Sequence, residues 1–426
     1  MAMADSGNFQ SAGSVAFAYP SYKLFQAARF FIVLATEMQS VAVGWQVYEI
    51  TRKPLDLGFV GLAQFLPGIL FFLVSGHTAD RYDRRKILTF GYAGFAMCSA
   101  LLLAISVHGT RSVNLIYGVI ALVGMVRSFN APASRAILPL LVPDEHFHNA
   151  FTWGATIFEA ATILGPAAGG LIYAIFRGPS AVYASAMIAA AAAALSMLRV
   201  KLQLRPRPRE PFSRTTVLAG LHYIWREKLV LGSISLDMFA VLLGGAVALL
   251  PVYARDILHT GPWGLGLLRC APAVGAAAMA ILLAHRPLGR NAGAKMLWCV
   301  AGFGVSTILF GLSHSMELSM IALILVGATD MVSVVVRGIL IQLATPNDMR
   351  GRVNAVDMIF IGTSNELGGF ESGATAQWLG TVVAVVVGGI GTLIVTASAA
   401  ALFPKLRKLD RLPSAESERK IPAPVG

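Results

Sequence analysis

The sequence predicts an all-α membrane protein: twelve transmembrane helices in two pseudo-symmetric bundles of six. Three observations predict it. Hydrophobic residues make up 56% of the 426 and charged residues only 13%, where a soluble domain carries about 25% charge. Apolar runs long enough to cross a bilayer fall six before and six after one polar break. The second six then echo the first at a nearly constant spacing. The 42 glycines and 20 prolines fit the same reading, because both are frequent in membrane helices.

A spanning helix needs about 20 mostly apolar residues. Windows of that length fall at 24–49, 56–78, 87–107, 114–139, 149–175 and 179–199, then at 229–254, 263–284, 295–313, 316–341, 352–376 and 379–403. Between the sets, Lys201 to Arg214 reads KLQLRPRPREPFSR. Its prolines and arginines forbid a span and predict a cytoplasmic linker. The stretch that follows, to Lys228, predicts a short amphipathic helix on the membrane surface. The organisation is therefore a tail (1–21), a first bundle (22–200), a linker (201–228), a second bundle (229–404) and a tail (405–426). Met1 to Pro20 lacks a signal-peptide pattern, so the first span is read as retained.

Lys and Arg sort strongly by side. One side holds Lys23, the group Arg81, Arg84, Arg85 and Lys86, the linker cations, Arg286 to Lys295, Arg350 and Arg352, and the C-terminal cations; the other holds Arg52, Lys53, Arg111, Arg177 and Arg255. The positive-inside rule places both termini in the cytoplasm. The net charge of +12 is thereby read as topology. With no basic stripe interleaved with aromatics, a nucleic-acid partner is not expected. Cys98, Cys270 and Cys299 lie in apolar runs without metal-ligand spacing, and no metal, cofactor or disulfide is expected.

The halves repeat. Gly61, Pro67, Arg81 and Arg85 match Gly266, Pro272, Arg286 and Arg290 at one spacing. At a second, almost equal, spacing Leu122-Val123-Gly124 matches Leu325-Val326-Gly327, while Pro143, Gly165 and Gly170 match Pro346, Gly368 and Gly373. Six-helix repeats point to a polar site between the halves near the bilayer midplane.

The loop after the second span reads Gly76-His77-Thr78-Ala79-Asp80-Arg81-Tyr82-Asp83-Arg84-Arg85-Lys86. Gly76 lets helices approach, Asp80 can accept from a facing helix N-terminus, and Arg81, Arg84 and Arg85 can clamp carboxylates or helix C-terminal carbonyls. This loop resembles the G-x-x-x-D-R-x-x-R-R-K signature of the major facilitator superfamily, with His77 and Asp83 departing from its usual small residue and glycine. Met38 to Ala42, Trp45 to Glu49, Gly61 to Pro67 and Met349 to Val353 are similar to the branch of enterobactin-exporter-like, secretion-type facilitators. The resemblance covers about residues 22–410. It implies alternating access by rocking of two bundles, commonly driven by proton exchange, with the loop as a conformational gate.

In the fifth span, Gly165-Pro166-Ala167-Ala168-Gly169-Gly170 is similar to the motif of drug/proton antiporters, with Ala161 in place of its preceding glycine. Gly169 and Gly170 permit tight packing and Pro166 removes a backbone hydrogen bond. A kinked packing helix is the plain alternative.

Ionisable groups inside spans are the main site candidates. A charge at a helix centre costs roughly 2.5–3.5 kcal/mol on insertion scales, so it tends to face a polar interior and be used. The candidates are Glu37, Arg127, Glu159, Asp237, Arg269, Asp330, Glu366 and Glu371, with Gln46, Asn130 and Asn365 as hydrogen-bonding contacts. Antiparallel packing of the first and fourth spans can bring Glu37 and Arg127 together within the first half; Arg127 then serves coupling or substrate contact, or forms a structural ion pair with Glu37 or Glu159. Arg127 to Asn130 is also similar to the fourth-helix arginine motif of proton-coupled facilitators, with Ala131 replacing its last glycine. Glu159, Glu366 and Glu371 are proton-carrier candidates, and Arg269 can attract an anionic solute.

The reading that results is a monomeric secondary transporter of a bacterial inner membrane, and not an enzyme: no phosphate-binding loop, nucleophile elbow or paired catalytic aspartates occur. Its expected partners are a small-molecule substrate, protons and the lipid bilayer. The expected activity is proton-coupled export of a siderophore-like or drug-like molecule. Uptake of a small metabolite and solute reception without transport remain as alternatives.

Overall fold

Lipid offers no hydrogen bonds, so a chain that crosses it must satisfy every backbone group within its own helices. The computed structural model obeys this throughout. It describes residues 15–202, 214–286 and 291–410, and for residues 72–73, 76–77, 79–80, 214–218 and 347–348 it describes the backbone alone. Both chain ends, residues 203–213 of the linker, Arg290 and the side chain of Asp80 lie outside the described residues.

The first bundle contains α1 (Pro20–Thr51), α2 (Pro54–Arg81), α3 (Arg84–Val107), α4 (Val113–Ile137), α5 (Phe147–Phe176) and α6 (Ser180–Leu198). After α7 (Arg214–Arg226), the second contains α8 (Lys228–Gly244), α9 (Leu250–Val252), α10 (Gly261–His285), α11 (Ala292–Leu312), α12 (Met316–Ala344), α13 (Asn347–Leu379) and α14 (Thr381–Leu402), with α15 (Pro404–Arg407) trailing. Eleven of these segments are long and apolar enough to span. The twelfth spanning helix is α13, whose apolar character is diluted by Asp357, Glu366 and Glu371.

One expectation is corrected. The seventh span is not one continuous helix over 229–254. It stops at Gly244, passes through a 3-10 turn at Ala246–Leu249, and closes in a π-helical turn at Tyr253–Ile257. Gly245 takes a non-helical conformation (φ −69°, ψ 52°), and Pro251 follows without an N–H to extend a helix. The helix α7 packs against the second bundle. Ile224 is buried, Gly220 sits against the Arg352 carbonyl of α13, and the Tyr223 hydroxyl donates to the Ala344 carbonyl (2.6 Å).

The two bundles repeat each other's packing. Gly124 of α4 rests on the Gln64 carbonyl of α2, and Gly327 of α12 on the Pro272 carbonyl of α10. These are the glycines that the internal repeat aligned. Small residues let helix backbones touch, which is how helices associate when lipid supplies no hydrophobic drive.

The turns at 52–53, 108–112, 177–179, 258–260 and 313–315 define one end of the molecule, here called distal. The start of α1 and the end of α14 define the other, proximal, end. At the distal end two seams join the bundles. Gly170 of α5 faces Gly266 of α10, and Gly373 of α13 faces Gly58 of α2; a Cβ on Gly266 would stand 2.6 Å from the Pro166 carbonyl, and one on Gly373 would stand 2.9 Å from the Pro54 carbonyl. Beside the seams, the Tyr48 hydroxyl donates to Asp256, Arg52 pairs with Asp256 (3.5 Å), and Arg255 pairs with Glu49 (3.5 Å) while lying over Trp45. The Tyr173 hydroxyl also donates to Glu49 (3.1 Å). The cross-bundle contacts described here gather in this distal half and close it.

These ion pairs are partly solvated, with Arg52 55% and Glu49 47% exposed. Pairs of that kind are worth about 0–1 kcal/mol each. The closed distal end thus rests mainly on backbone contact at the glycines. Substituting Gly266→Val should wedge the α5–α10 seam. With the native cysteines replaced and a single cysteine at Leu57, labelling by a membrane-impermeant maleimide from the distal side should rise several-fold; an unchanged rate would show that the seam does not hold the closure.

Candidate substrate cavity

Between the bundles lies a cavity of about 470 Å³, within the roughly 300–1,000 Å³ usual for small-molecule sites. The first bundle lines it with Thr36, Glu37, Ser40 and Gly44 of α1, Gln64 of α2 and Arg127 of α4. The second contributes Asp237 of α8, Arg269 of α10, Asp330 and Arg337 of α12, and Asn365 and Glu366 of α13. Polar groups that would be prohibitive in lipid converge here, where the helices shield them.

The α1 residues share a face because they recur at helical spacing. Gly44 lets Pro251 of the second bundle approach, with its Cβ position 3.3 Å from the proline ring. On α5, the Gly165-to-Gly170 stretch serves two surfaces. Gly165 packs on Glu37 and Gly169 on Met38, both of α1, while Gly170 and the Pro166 carbonyl meet Gly266 across the seam. The motif therefore couples the position of Glu37 to the distal closure.

Two charge groups occupy the cavity walls. The first spans the bundles. The Gln64 amide donates to Glu366 (3.3 Å), Arg127 and Arg269 both act on the Glu366 carboxylate, and Arg269 also acts on Glu37. Two carboxylates thus face two guanidiniums. The expected Glu37–Arg127 pair within the first half is corrected: no ion pair joins them, and the cation acting on Glu37 comes from the other half.

The second group lies within the second bundle. Arg337, only 4% exposed, is paired with Asp237 and lies 3.5 Å from Asp357. Asp237 also accepts from the Ser333 hydroxyl (3.3 Å), and Asp330 lies within electrostatic reach of both Asp237 and Arg337. Three carboxylates share one guanidinium. Sequence reasoning missed Arg337 and Asp357. A signal existed for Arg337, which follows Asp330 by two turns on the same face of α12.

Several candidates lie elsewhere. Gln46 is buried in the first bundle and accepts from the Tyr183 hydroxyl (2.6 Å), fixing α1 to α6. Asn130 turns toward Gly91 of α3 and is off the cavity wall. Glu159 is half-buried on α5, also away from the wall. Glu371 accepts from Thr375 one turn along α13 (2.8 Å), distal to the cavity. In each case the helix turns the residue to a neighbouring helix or past the cavity's end. Asn365 does reach the wall, with its amide donating to the Ile361 carbonyl (2.8 Å).

Of the gate loop, Arg81 is exposed, and Arg85 donates to the Val200 carbonyl (3.2 Å) at the end of α6 in its own bundle. Asp83, which stands where the superfamily pattern has glycine, caps α3 by accepting from the Arg85 amide (2.9 Å).

Two six-helix bundles around a polar central cavity, shut at one end, define a transport protein of the major facilitator superfamily. The chain belongs to the transmembrane secretion effector family, whose model matches residues 14–425. It is similar to the enterobactin exporter EntS of Shigella boydii serotype 18 and of Escherichia coli O81, each 26% identical over 403 residues, with 93% of this chain and 94% of the relative covered. Among solved structures, a mutant of the nucleoside transporter NupG matches with TM-score 0.72 (11% identity, 90% of this chain and 100% of that one). A D-xylose–proton symporter matches with TM-score 0.70 (13% identity, 91% and 98%). A bacterial homologue of the lysosomal transporter Spinster, inward-facing and unoccupied, matches with TM-score 0.68 (14% identity, 91% and 98%). The protein is thus a membrane transporter of small molecules rather than an enzyme.

Removing one member of a buried ion pair leaves an uncompensated charge and costs roughly 3–5 kcal/mol. Arg337→Met should therefore lower the thermal midpoint of the detergent-solubilised protein markedly, and adding Asp237→Asn should recover part of the loss. An additive double variant would show that the two side chains are not coupled.

Proposed function

We propose that the protein exports an organic solute from the cytoplasm in exchange for protons, by alternating access. The observation that carries this reading is the cavity itself: charged walls from both bundles, closed at the distal end by the glycine seams. The abundance of Lys and Arg at the proximal turns supports placing that end in the cytoplasm. In this orientation the cavity loads from inside. Membership of a secretion family and similarity to proteins named as enterobactin exporters favour export over uptake.

Proton coupling is supported by the charge count. The cross-bundle group balances two carboxylates with two guanidiniums, but the α8–α12–α13 group sets Asp237, Asp330 and Asp357 against Arg337 alone. Asp330 lines the cavity and, among the described residues, makes neither ion pair nor hydrogen bond of its own, while Arg337 is engaged by the other two. A proton on Asp330 supplies missing positive charge, and its release or uptake alters the field that Arg337 and the cavity feel. Asp330 is in this reading the proton carrier, and Glu366 joins the solute's charge to the two bundles.

The test is substrate-driven proton movement in proteoliposomes, screened with siderophores and amphipathic drugs. Wild type should move protons with solute, Asp330→Asn should exchange solute without proton movement, and Glu366→Gln should weaken solute exchange itself. Solute exchange with no proton flux in any protein would overturn the coupling. Net accumulation against an outward proton-driven flux would overturn export.

A further inference from the structure

About two turns proximal to the cavity wall, the first bundle carries two further arginines that its charge balance does not need. Arg29 lies on the face of α1 that continues to Thr36, and Arg135 lies two turns along α4 from Arg127. They are close enough to repel each other electrostatically. Neither is engaged by a carboxylate or a hydrogen-bond acceptor among the described residues. The remaining groups that act on Arg29 are the phenols of Tyr22 and Tyr92, and its guanidinium lies 5.4 Å above the Phe158 ring. Arg135 is exposed.

A second observation falls at the same place. Gln26, one turn before Arg29, is 2% exposed, and neither its amide nitrogen nor its oxygen has a close hydrogen-bond partner among the described residues, the neighbouring Tyr22 hydroxyl donating instead to the Ala150 carbonyl (2.7 Å). Above Gly154 of α5 the two heads sit side by side: a Cβ there would stand 3.0 Å from Arg29 Nη1 and 3.1 Å from Gln26 Nε2. Leaving a buried polar group such as the Gln26 amide unpaired is costly, and the two neighbouring cations gain from a counter-charge placed between them. The arrangement offers guanidinium donors, an amide donor and an aromatic floor at Phe158, which together suit a planar organic anion.

We infer that Arg29, Arg135 and Gln26 form an anion-binding site in the proximal vestibule, which takes up a carboxylate- or phenolate-bearing aromatic solute before it reaches Arg127 and Arg269. As the cargo's first station this rests on the transport reading, but as a binding site it does not. The ligand slides from one cation pair to the next along the faces of α1 and α4, and at the second pair it meets the carboxylates that set the coupling.

Binding to the full-length protein in phosphatidylcholine nanodiscs tests this without requiring transport. The probe pair is salicylate and its neutral amide, salicylamide, followed by calorimetry or equilibrium dialysis. Charge-assisted hydrogen bonds to two guanidiniums should give wild type a preference for salicylate of about ten-fold. Arg29→Gln with Arg135→Gln should abolish it, and Arg29→Lys with Arg135→Lys should keep most of it, which guards against simple misfolding. No preference in wild type overturns the site. So does a preference that survives the Gln pair but is lost in Arg127→Gln with Arg269→Gln, because the cavity alone would then bind the anion. Loss of the preference when phosphatidylglycerol replaces phosphatidylcholine would assign the site to lipid headgroups and overturn the solute reading. If the preference holds but labelled solute shows no counterflow, the transport reading fails and the site stands.

Discussion

Inside a bilayer a charge has no water to turn to, and this constraint organises the whole molecule. It forces the backbone into helices and then forces the ionisable side chains to the surfaces where helices meet or where water can enter. Both charge groups obey it. One closes on itself within the second bundle around Arg337; the other is completed only when the two bundles stand together, with Arg269 of one acting on Glu37 of the other. Any relative rotation of the bundles changes the second group and leaves the first intact. That difference separates a part that holds the second bundle together from a part that senses its position.

The seam contacts follow the same logic with a different currency of interaction. Glycine pairs such as Gly170–Gly266 and Gly58–Gly373 bring backbones into contact without interlocking side chains. Flanking ion pairs at Glu49–Arg255 and Arg52–Asp256 are half in solvent and individually weak. A closure made this way is specific in geometry but shallow in energy. It is also tied to the cavity, since the same turn of α5 that meets Gly266 presses Gly165 against Glu37.

The helices, the two-bundle plan and the internal repeat were legible in the sequence because apolar length and glycine spacing are one-dimensional signals. Gly124 and Gly327, aligned by the repeat, do the same packing work in both halves. The break in the seventh span was not legible, because Gly245 and Pro251 sit in a run as apolar as its neighbours. Direction around the helix decided most of the site. Thr36, Glu37, Ser40 and Gly44 share the cavity face of α1, and Gln46 stands on the opposite one, where Tyr183 waits. That distinction was available from the 3.6-residue period. Arg337 was harder to weigh, because an arginine near a span's end reads as snorkelling to the surface, and only the approach of α8 and α13 shows that it turns inward. The candidate site was therefore legible as a list of ionisable residues, and not as two groups with different charge balance.

The two bundles are unequal in charge despite their shared plan. The first presents Arg29, Arg127 and Arg135 along α1 and α4 with Glu37 as the one carboxylate on its cavity wall. The second presents Asp237, Asp330, Asp357 and Glu366 against Arg269 and Arg337. A field runs across the cleft from one wall to the other. Its cationic wall extends further toward the proximal end. Pseudo-symmetry fixes how the helices of each bundle pack, and the broken symmetry of charge makes the two walls of the cavity chemically distinct.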